Sequence, residues 1–247
     1  CQCLFGYSSE YSSDGTMVCN ACDTNLYKSE VGDGQCLECP LNSYYGGYAA
    51  TALGMCQCNP GYTGENGICT ICPAGKYKAG YGNASCEDCP ANSHSTRGSL
   101  GVEMCSCNAG ATAQNDLSCK LCEAGKYKSA NGSHTCTNCP PGKHSGGTGR
   151  TNITACLDCP QDTYSSTDHS FCHACPLDSR SSSSSEALTD CVCNVGYTGD
   201  DGGFCTACAA GKFKGTNGSS SCTKCPANAY SPDGSTLQVN CSCNKGF

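Results

Sequence analysis

Thirty of the 247 residues are cysteines, and they fall into fifteen close doublets, each CxxC or CxC. A thiolate can be a nucleophile, a soft metal ligand or half of a disulfide, so spacing and context must decide which chemistry applies. Doublets separated by 13 residues, as from Cys72 to Cys86 and from Cys122 to Cys136, match structural zinc spacing. Against zinc stand the regular alternation of CxxC with CxC, the secretory glycosylation signals described below, and the large number of doublets in a chain with few basic residues. Disulfides are the working assignment, with no metal and no other cofactor.

Two pairings fit. A serial ladder, the favoured one, joins the second cysteine of each doublet to the first of the next: Cys3 to Cys19, Cys22 to Cys36, Cys39 to Cys56, Cys58 to Cys69, Cys72 to Cys86, Cys89 to Cys105 and Cys107 to Cys119. It continues with Cys122 to Cys136, Cys139 to Cys156, Cys159 to Cys172, Cys175 to Cys191, Cys193 to Cys205, Cys208 to Cys222 and Cys225 to Cys241. The competitor crosses Cys72 to Cys89 and Cys86 to Cys105 while keeping Cys107 to Cys119. Both leave Cys1 and Cys243 without partners inside the chain. Each loop of this size removes about 3 kcal/mol of unfolded-chain freedom in the entropic account, so an array of them stays ordered with little apolar burial.

Other reactive residues give weaker signals. His94, His134, His144, His169 and His173 are isolated or sit in turns, no GxSxG-type nucleophile is present, and a disulfide-bonded cysteine cannot act as a thiolate. The sequence therefore reads as non-enzymatic. His169, Cys172, His173 and Cys175 resemble a metal cluster, but Cys172 and Cys175 also fit the doublet register.

Five N-x-S/T triplets begin at Asn83, Asn131, Asn152, Asn217 and Asn240. Asn83, Asn131 and Asn217 occupy the same loop of different copies, which points to covalent glycans along one side of the molecule. Ser181 to Ser185 reads either as an O-glycosylated stretch or as a flexible loop. Tyr27, Tyr77, Tyr127 and Phe213, with Tyr7, Tyr62, Tyr197 and Phe247, stand at fixed distances from cysteines and are expected to cover disulfides. Lys76/Lys78, Lys126/Lys128 and Lys212/Lys214 flank those rings as solvated rims, the alternative being a row of weak sites for sulfated or carboxylated polysaccharide.

The elements that must position these residues follow from composition. There is no Trp, only five Phe, and 31 Gly, too little apolar material for a sizeable core, so crosslinks must replace it. The motif CxxCxAGKYK, a second CxxCP and a closing CxCN recurs with a period near 50 residues. We divide the chain at 1–55, 56–104, 105–155, a truncated copy at 156–190, 191–240, and the start of a further copy at 241–247. In the truncated copy Cys156 and Cys159 form one CxxC, so the CxCNxGYTG loop is deleted. No segment keeps a 3.6-residue period, and Gly, Asn, Ser and Pro punctuate the chain. The expected fold is small and disulfide-rich: a tandem array of short β-hairpin and turn units forming an elongated rod with almost no helix.

Net charge is −7 with scattered Lys and Arg, which excludes the basic field of a nucleic-acid binder. No run of 18 apolar residues marks a membrane span. Beginning and ending inside repeats, the sequence reads as a segment of a longer secreted chain.

At CTICPAGKYKAGYGNASCEDCPANSHS followed by CSCNAG, the chain resembles ephrin-receptor-like cysteine-rich repeats. CPAGKY is similar to the first loop of tumour-necrosis-factor-receptor modules, and CNPGYTGENGIC to the last loop of an epidermal-growth-factor-like domain, whose pairing is of the crossed kind. The resemblance spans essentially the whole chain, weakest at 156–190. It implies extracellular, non-catalytic modules of the sort found in receptor ectodomains, matrix proteins and surface or flagellar-hair proteins of protists and algae. The acidic cluster of calcium-binding growth-factor-like domains has no counterpart here. The leading expectation is an extracellular structural segment of a fibre, stalk or surface coat that self-associates or abuts neighbouring repeats. The alternative is a ligand-binding receptor ectodomain in which 156–190 carries the contact.

Overall fold

The computed structural model describes residues 2–246. Cys1 and Phe247, and the expectations placed on them, lie outside that range.

One local rule generates most of the backbone. The third residue after the second cysteine of each doublet has positive φ, between 60° and 98°, and it is always Gly, Asn or Asp: Gly6, Asn25, Asn42, Gly61 and Gly75 begin the series. These are the residues that tolerate the left-handed region at least cost. Each closes a tight turn, as where Tyr7 N–H donates to Leu4 O and Ser43 N–H to Pro40 O. A strand starts on the next residue, four past the cysteine: Tyr7–Tyr11, Leu26–Tyr27, Ser43–Tyr44, Tyr62–Glu65 and onward.

The partner strand lies in or across the following doublet. Leu26–Tyr27 pairs with Leu37–Glu38, the spacer of Cys36 and Cys39, and Lys76–Tyr77 pairs with Glu87–Asp88 in the same way. The longer ribbons are Tyr7–Tyr11 with Met17–Ala21 and Tyr62–Glu65 with Ile68–Ile71, both antiparallel. The carbonyl of the positive-φ residue then accepts from the second cysteine of the next CxxC, as from Cys22 N–H to Gly6 O and Cys72 N–H to Gly61 O. A doublet is thus the end of one hairpin and the entry to the next.

Fourteen disulfides close these loops among the described residues, each joining the second cysteine of one doublet to the first of the next, from Cys3–Cys19 to Cys225–Cys241. Cys243 is free and exposed. Among the described residues helix is confined to single 3-10 turns such as Leu53–Met55 and Val102–Met104, each placed just before a disulfide-bonded cysteine. The small, disulfide-rich hairpin architecture agrees with the sequence reading.

Sulfur replaces the apolar core. Among the described residues the buried apolar side chains, apart from Ala50 and Ala111, are all half-cystines, including Cys22, Cys58, Cys72 and Cys122. Contacts divide the chain into two units. The first contains the described residues up to Asn108 with Ala113–Lys120 and Asn131–Ser133; the second contains Ala109–Thr112, Leu121–Ala130 and the chain from His134 on.

Candidate functional site

The recurrent feature with the most chemistry is a buried lysine. Lys28, Lys78, Lys128 and Lys214, each six residues after the second cysteine of its doublet, are 2–4 % exposed. In the first unit the Lys28 ammonium donates to Tyr7 O at 2.7 Å and Gly32 O at 2.5 Å. Lys78 Nζ donates to Gly80 O at 2.7 Å, with Cys58 O at 3.3 Å and Asn59 O at 3.5 Å. In the second unit Lys128 Nζ donates to Ala111 O at 2.5 Å, and Lys214 Nζ to Tyr197 O at 2.6 Å and to Gly218 O. These interactions are with carbonyls of the preceding CxC hairpin, of the lysine's own loop, or of both.

The backbone repeats the same joint. The N–H groups of Gly6, Gly61, Gly110 and Gly196 donate to the carbonyls of Lys28, Lys78, Lys128 and Lys214. Burial pushes the ammonium pKa of Lys78, Lys128 and Lys214 down, because desolvation disfavours the charged form. The carbonyl shell supplies hydrogen bonds for the donors that water would otherwise satisfy.

This corrects the expectation for the lysine pairs. The first member of a pair does lie at the rim: Lys76 meets Asp88 at 2.6 Å, and Lys126 meets Glu123 at 3.8 Å. The second member is turned inward, so only one lysine of each pair faces solvent. The truncated copy differs. There the equivalent residue is Ser165, 4 % exposed, and its hydroxyl donates to Glu186 O at 3.1 Å. Its oxygen also accepts from Gly142 N–H of the preceding hairpin at 3.2 Å, so a short hydroxyl rather than an ammonium makes the joint there.

A second recurrent brace is serine. Ser95 and Ser231 are about fully buried and donate to Lys76 O and Lys212 O, both at 2.9 Å. Ser99 and Ser235, four residues on, close their loops onto Thr96 O and Pro232 O. Ser181 and Ser185 occupy the same places, donating to Thr163 O and Ser182 O at 2.9 Å, so the serine run is an ordered brace exposing only Ser182 to Ser184. The spacing SxxxS, at Ser95/Ser99, Ser181/Ser185 and Ser231/Ser235 after their CP turns, was its sequence signal.

The five sequon asparagines are all exposed. Asn131 and Asn217 precede the positive-φ residues Gly132 and Gly218, whereas Asn83 follows the equivalent Gly82, so the three share a loop with an offset of two residues. Asn217 Oδ1 accepts from Val195 N–H at 3.1 Å, Asn152 Oδ1 from Thr154 N–H at 3.0 Å, and Asn240 Oδ1 from Leu237 N–H at 2.8 Å. Of the conserved-distance aromatics, Tyr27, Tyr62, Tyr77, Tyr127, Tyr197 and Phe213 are half-buried, and Tyr7 is 39 % exposed.

The histidines need one correction. Cys172 is bonded to Cys159 and Cys175 to Cys191, and exposed His173 packs between Tyr164 and Phe171, with ring centroids at 5.3 and 4.4 Å. His144 is not isolated: its Nδ1 lies 3.1 Å from Cys172 Sγ. The truncated copy also borders a groove of about 640 Å³ lined by Gln161, Arg180, Ser182, Asp190 and Asn217 among others.

A family model described as tyrosine-protein kinase ephrin type A/B receptor-like matches residues 9–59, 61–105 and 110–156, together more than half of the chain. The chain belongs to that family. Mouse ephrin type-B receptor 4 is 39 % identical over 62 residues, which are 25 % of this chain and 6 % of the receptor. The ephrin-receptor-like repeats here thus correspond to a small part of that relative's length. Family and disulfides agree on a receptor-like, cysteine-rich segment of extracellular type. No helix among the described residues is long and apolar enough to cross a membrane.

Proposed function

We propose that this segment is an extracellular structural spacer, part of a fibre, stalk or surface coat, held by serial disulfides and lysine joints and carrying N-glycans. The observation supporting this reading is the same joint rebuilt at Lys28, Lys78, Lys128 and Lys214, with contacts that tie one loop to the next rather than to a cleft. Exposure of all five sequon asparagines supports glycosylation. Three of them use the side-chain oxygen in a hydrogen bond from a backbone N–H, which leaves the amide nitrogen, the atom that is glycosylated, outside that bond. Secretion follows from the same reading, since disulfides on this scale form and persist in oxidising compartments.

Two measurements test it on the full-length protein. Non-reducing peptide mapping should return the fourteen near-neighbour pairs with sugar on Asn83, Asn131 and Asn217. Electron microscopy should show extended assemblies; short isolated monomers would reject the fibre.

A receptor-ectodomain reading is favoured by the ephrin-receptor relative and by the groove beside Arg180 and Asp190. Transplanting 156–190 into a related array would then move ligand binding with it, and binding that stays behind would reject this second reading.

A further inference from the structure

The deleted loop of the truncated copy has a chemical consequence. His144 sits on the strand Lys143–His144, directly opposite Leu157, half-buried. Because Cys156 and Cys159 form a CxxC, the next closed loop follows at once, and the imidazole meets its disulfide. Nδ1 of His144 lies 3.1 Å from Cys172 Sγ, and the Nδ1, Cys159 Sγ and Cys172 Sγ atoms all fall within 4.8 Å of one another. Among the described residues no other group of three His, Cys, Asp or Glu ligand atoms is gathered in this way.

We propose that reduction of Cys159–Cys172 opens a three-ligand site for a thiolate-seeking ion such as Zn²⁺. Two thiolates and one imidazole nitrogen suit that ion, with water at the fourth tetrahedral position. Tetrahedral zinc sets its ligand atoms roughly 3.5 Å apart, a spacing the two sulfurs reach once their bond is broken, with little movement from His144. The oxidised pair offers no such site, because the thiolate is the metal ligand and a disulfide sulfur carries no such charge. The site is therefore available when this pair is reduced while the neighbouring disulfides keep the fold.

The steps balance. A trialkyl phosphine attacks one sulfur, donates two electrons to the S–S bond and leaves, with water, as the phosphine oxide; two thiols remain. A small thiol does the same when two equivalents are oxidised to their disulfide. Zn²⁺ then displaces the two thiol protons and takes the Nδ1 lone pair of the His144 tautomer protonated at Nε2. At this pair metal and oxidant compete for the same sulfurs.

The test uses the full chain, partly reduced by a water-soluble phosphine, with and without Zn²⁺, then alkylated and mapped pair by pair. Zinc should lower alkylation of Cys159 and Cys172 by about tenfold, well beyond its effect on Cys122 and Cys136, whose loop is not in the cluster. His144→Gln should raise the half-protecting zinc concentration by at least about tenfold, while Lys143→Gln on the same strand should leave it unchanged. The disulfide map of each variant before reduction shows whether it has folded, and His144→Asn supplies the same comparison should His144→Gln lose its other pairs. Equal zinc protection of Cys122/Cys136 and Cys159/Cys172, or native protection in a folded His144 variant, would overturn the proposal.

Discussion

Substituting Lys78 by Met keeps the aliphatic stem but removes the ammonium from its carbonyl shell. Gly80 O loses a 2.7 Å partner, and Cys58 O and Asn59 O lose longer ones at 3.3 and 3.5 Å. A hydrogen bond to a charged group nets about 1.5–3 kcal/mol. Removing a buried charge returns some desolvation free energy, so about 1.5–2 kcal/mol is the expected loss. At about 1.4 kcal/mol per tenfold, opening of this joint becomes roughly 10- to 30-fold more frequent.

Native-state hydrogen exchange reads that directly. The N–H groups of Gly61 and Gly82 donate to Lys78 O and Cys58 O, both at 2.9 Å, across the joint. Lys76→Met is the internal control: Lys76 forms a 2.6 Å ion pair with Asp88 at the surface, and exposed pairs contribute about 0–1 kcal/mol. The exchange of Gly61 and Gly82 should therefore accelerate markedly in Lys78→Met and by under about fivefold in Lys76→Met. Equal exchange in the two variants would refute the idea that the ammonium, rather than the stem, holds the loops together.

The remaining expectations concern the turns, the truncated copy and acid. Gly61→Ala should cost about 3 kcal/mol and reduce the yield of correctly paired protein, since a Cβ there would lie 2.5 Å from Gly98 O in addition to the positive-φ cost. Gly75→Ala, with φ of 82° but open space around the new carbon, should cost only about 1 kcal/mol by thermal or denaturant unfolding. Ser165→Lys should destabilise by more than about 2 kcal/mol, because a long charged side chain must replace a buried hydroxyl that donates to Glu186 O and accepts from Gly142 N–H; a native melting temperature would contradict this. Asp168 accepts from Ser166 Oγ, Ser170 N–H and Ser170 Oγ at 2.6–3.1 Å, and these bonds hold its carboxyl at about 2 rather than the usual 3.8. The order its charge gives the loop should be complete above pH 4 and disappear as pH falls through about 2. Amide spectra of Ser166 and Ser170 that are flat over that range would argue against it.

Much of the fold was legible because its determinants are local. The φ-positive turn is written as Gly, Asn or Asp three residues after each doublet, from Gly6 to Gly246. The scarcity of large apolar residues fixed the disulfide-rich class. The lysine joint was harder to see, since Lys76 and Lys78 have the same residue type and, two apart, would share a face of a continued strand; the strand ends at Tyr77, and Lys78 beyond it turns into the carbonyls of Cys58 and Gly80. The serine brace was similarly disguised, with Ser181 and Ser185 lost in a run of five identical letters until their equivalence with Ser95 and Ser99 set them apart.

The sequence by itself determined the hairpin unit, its turn chemistry and its crosslinked character, because cysteine spacing and backbone tolerance act within a few residues. Tertiary structure decided which lysine of each pair is buried, which carbonyls receive it, and that deleting one loop brings His144 of one hairpin against Cys172 of the next. Those outcomes depend on contacts between residues about 20 to 30 positions apart, where neighbouring loops rather than neighbouring letters set the environment of a side chain.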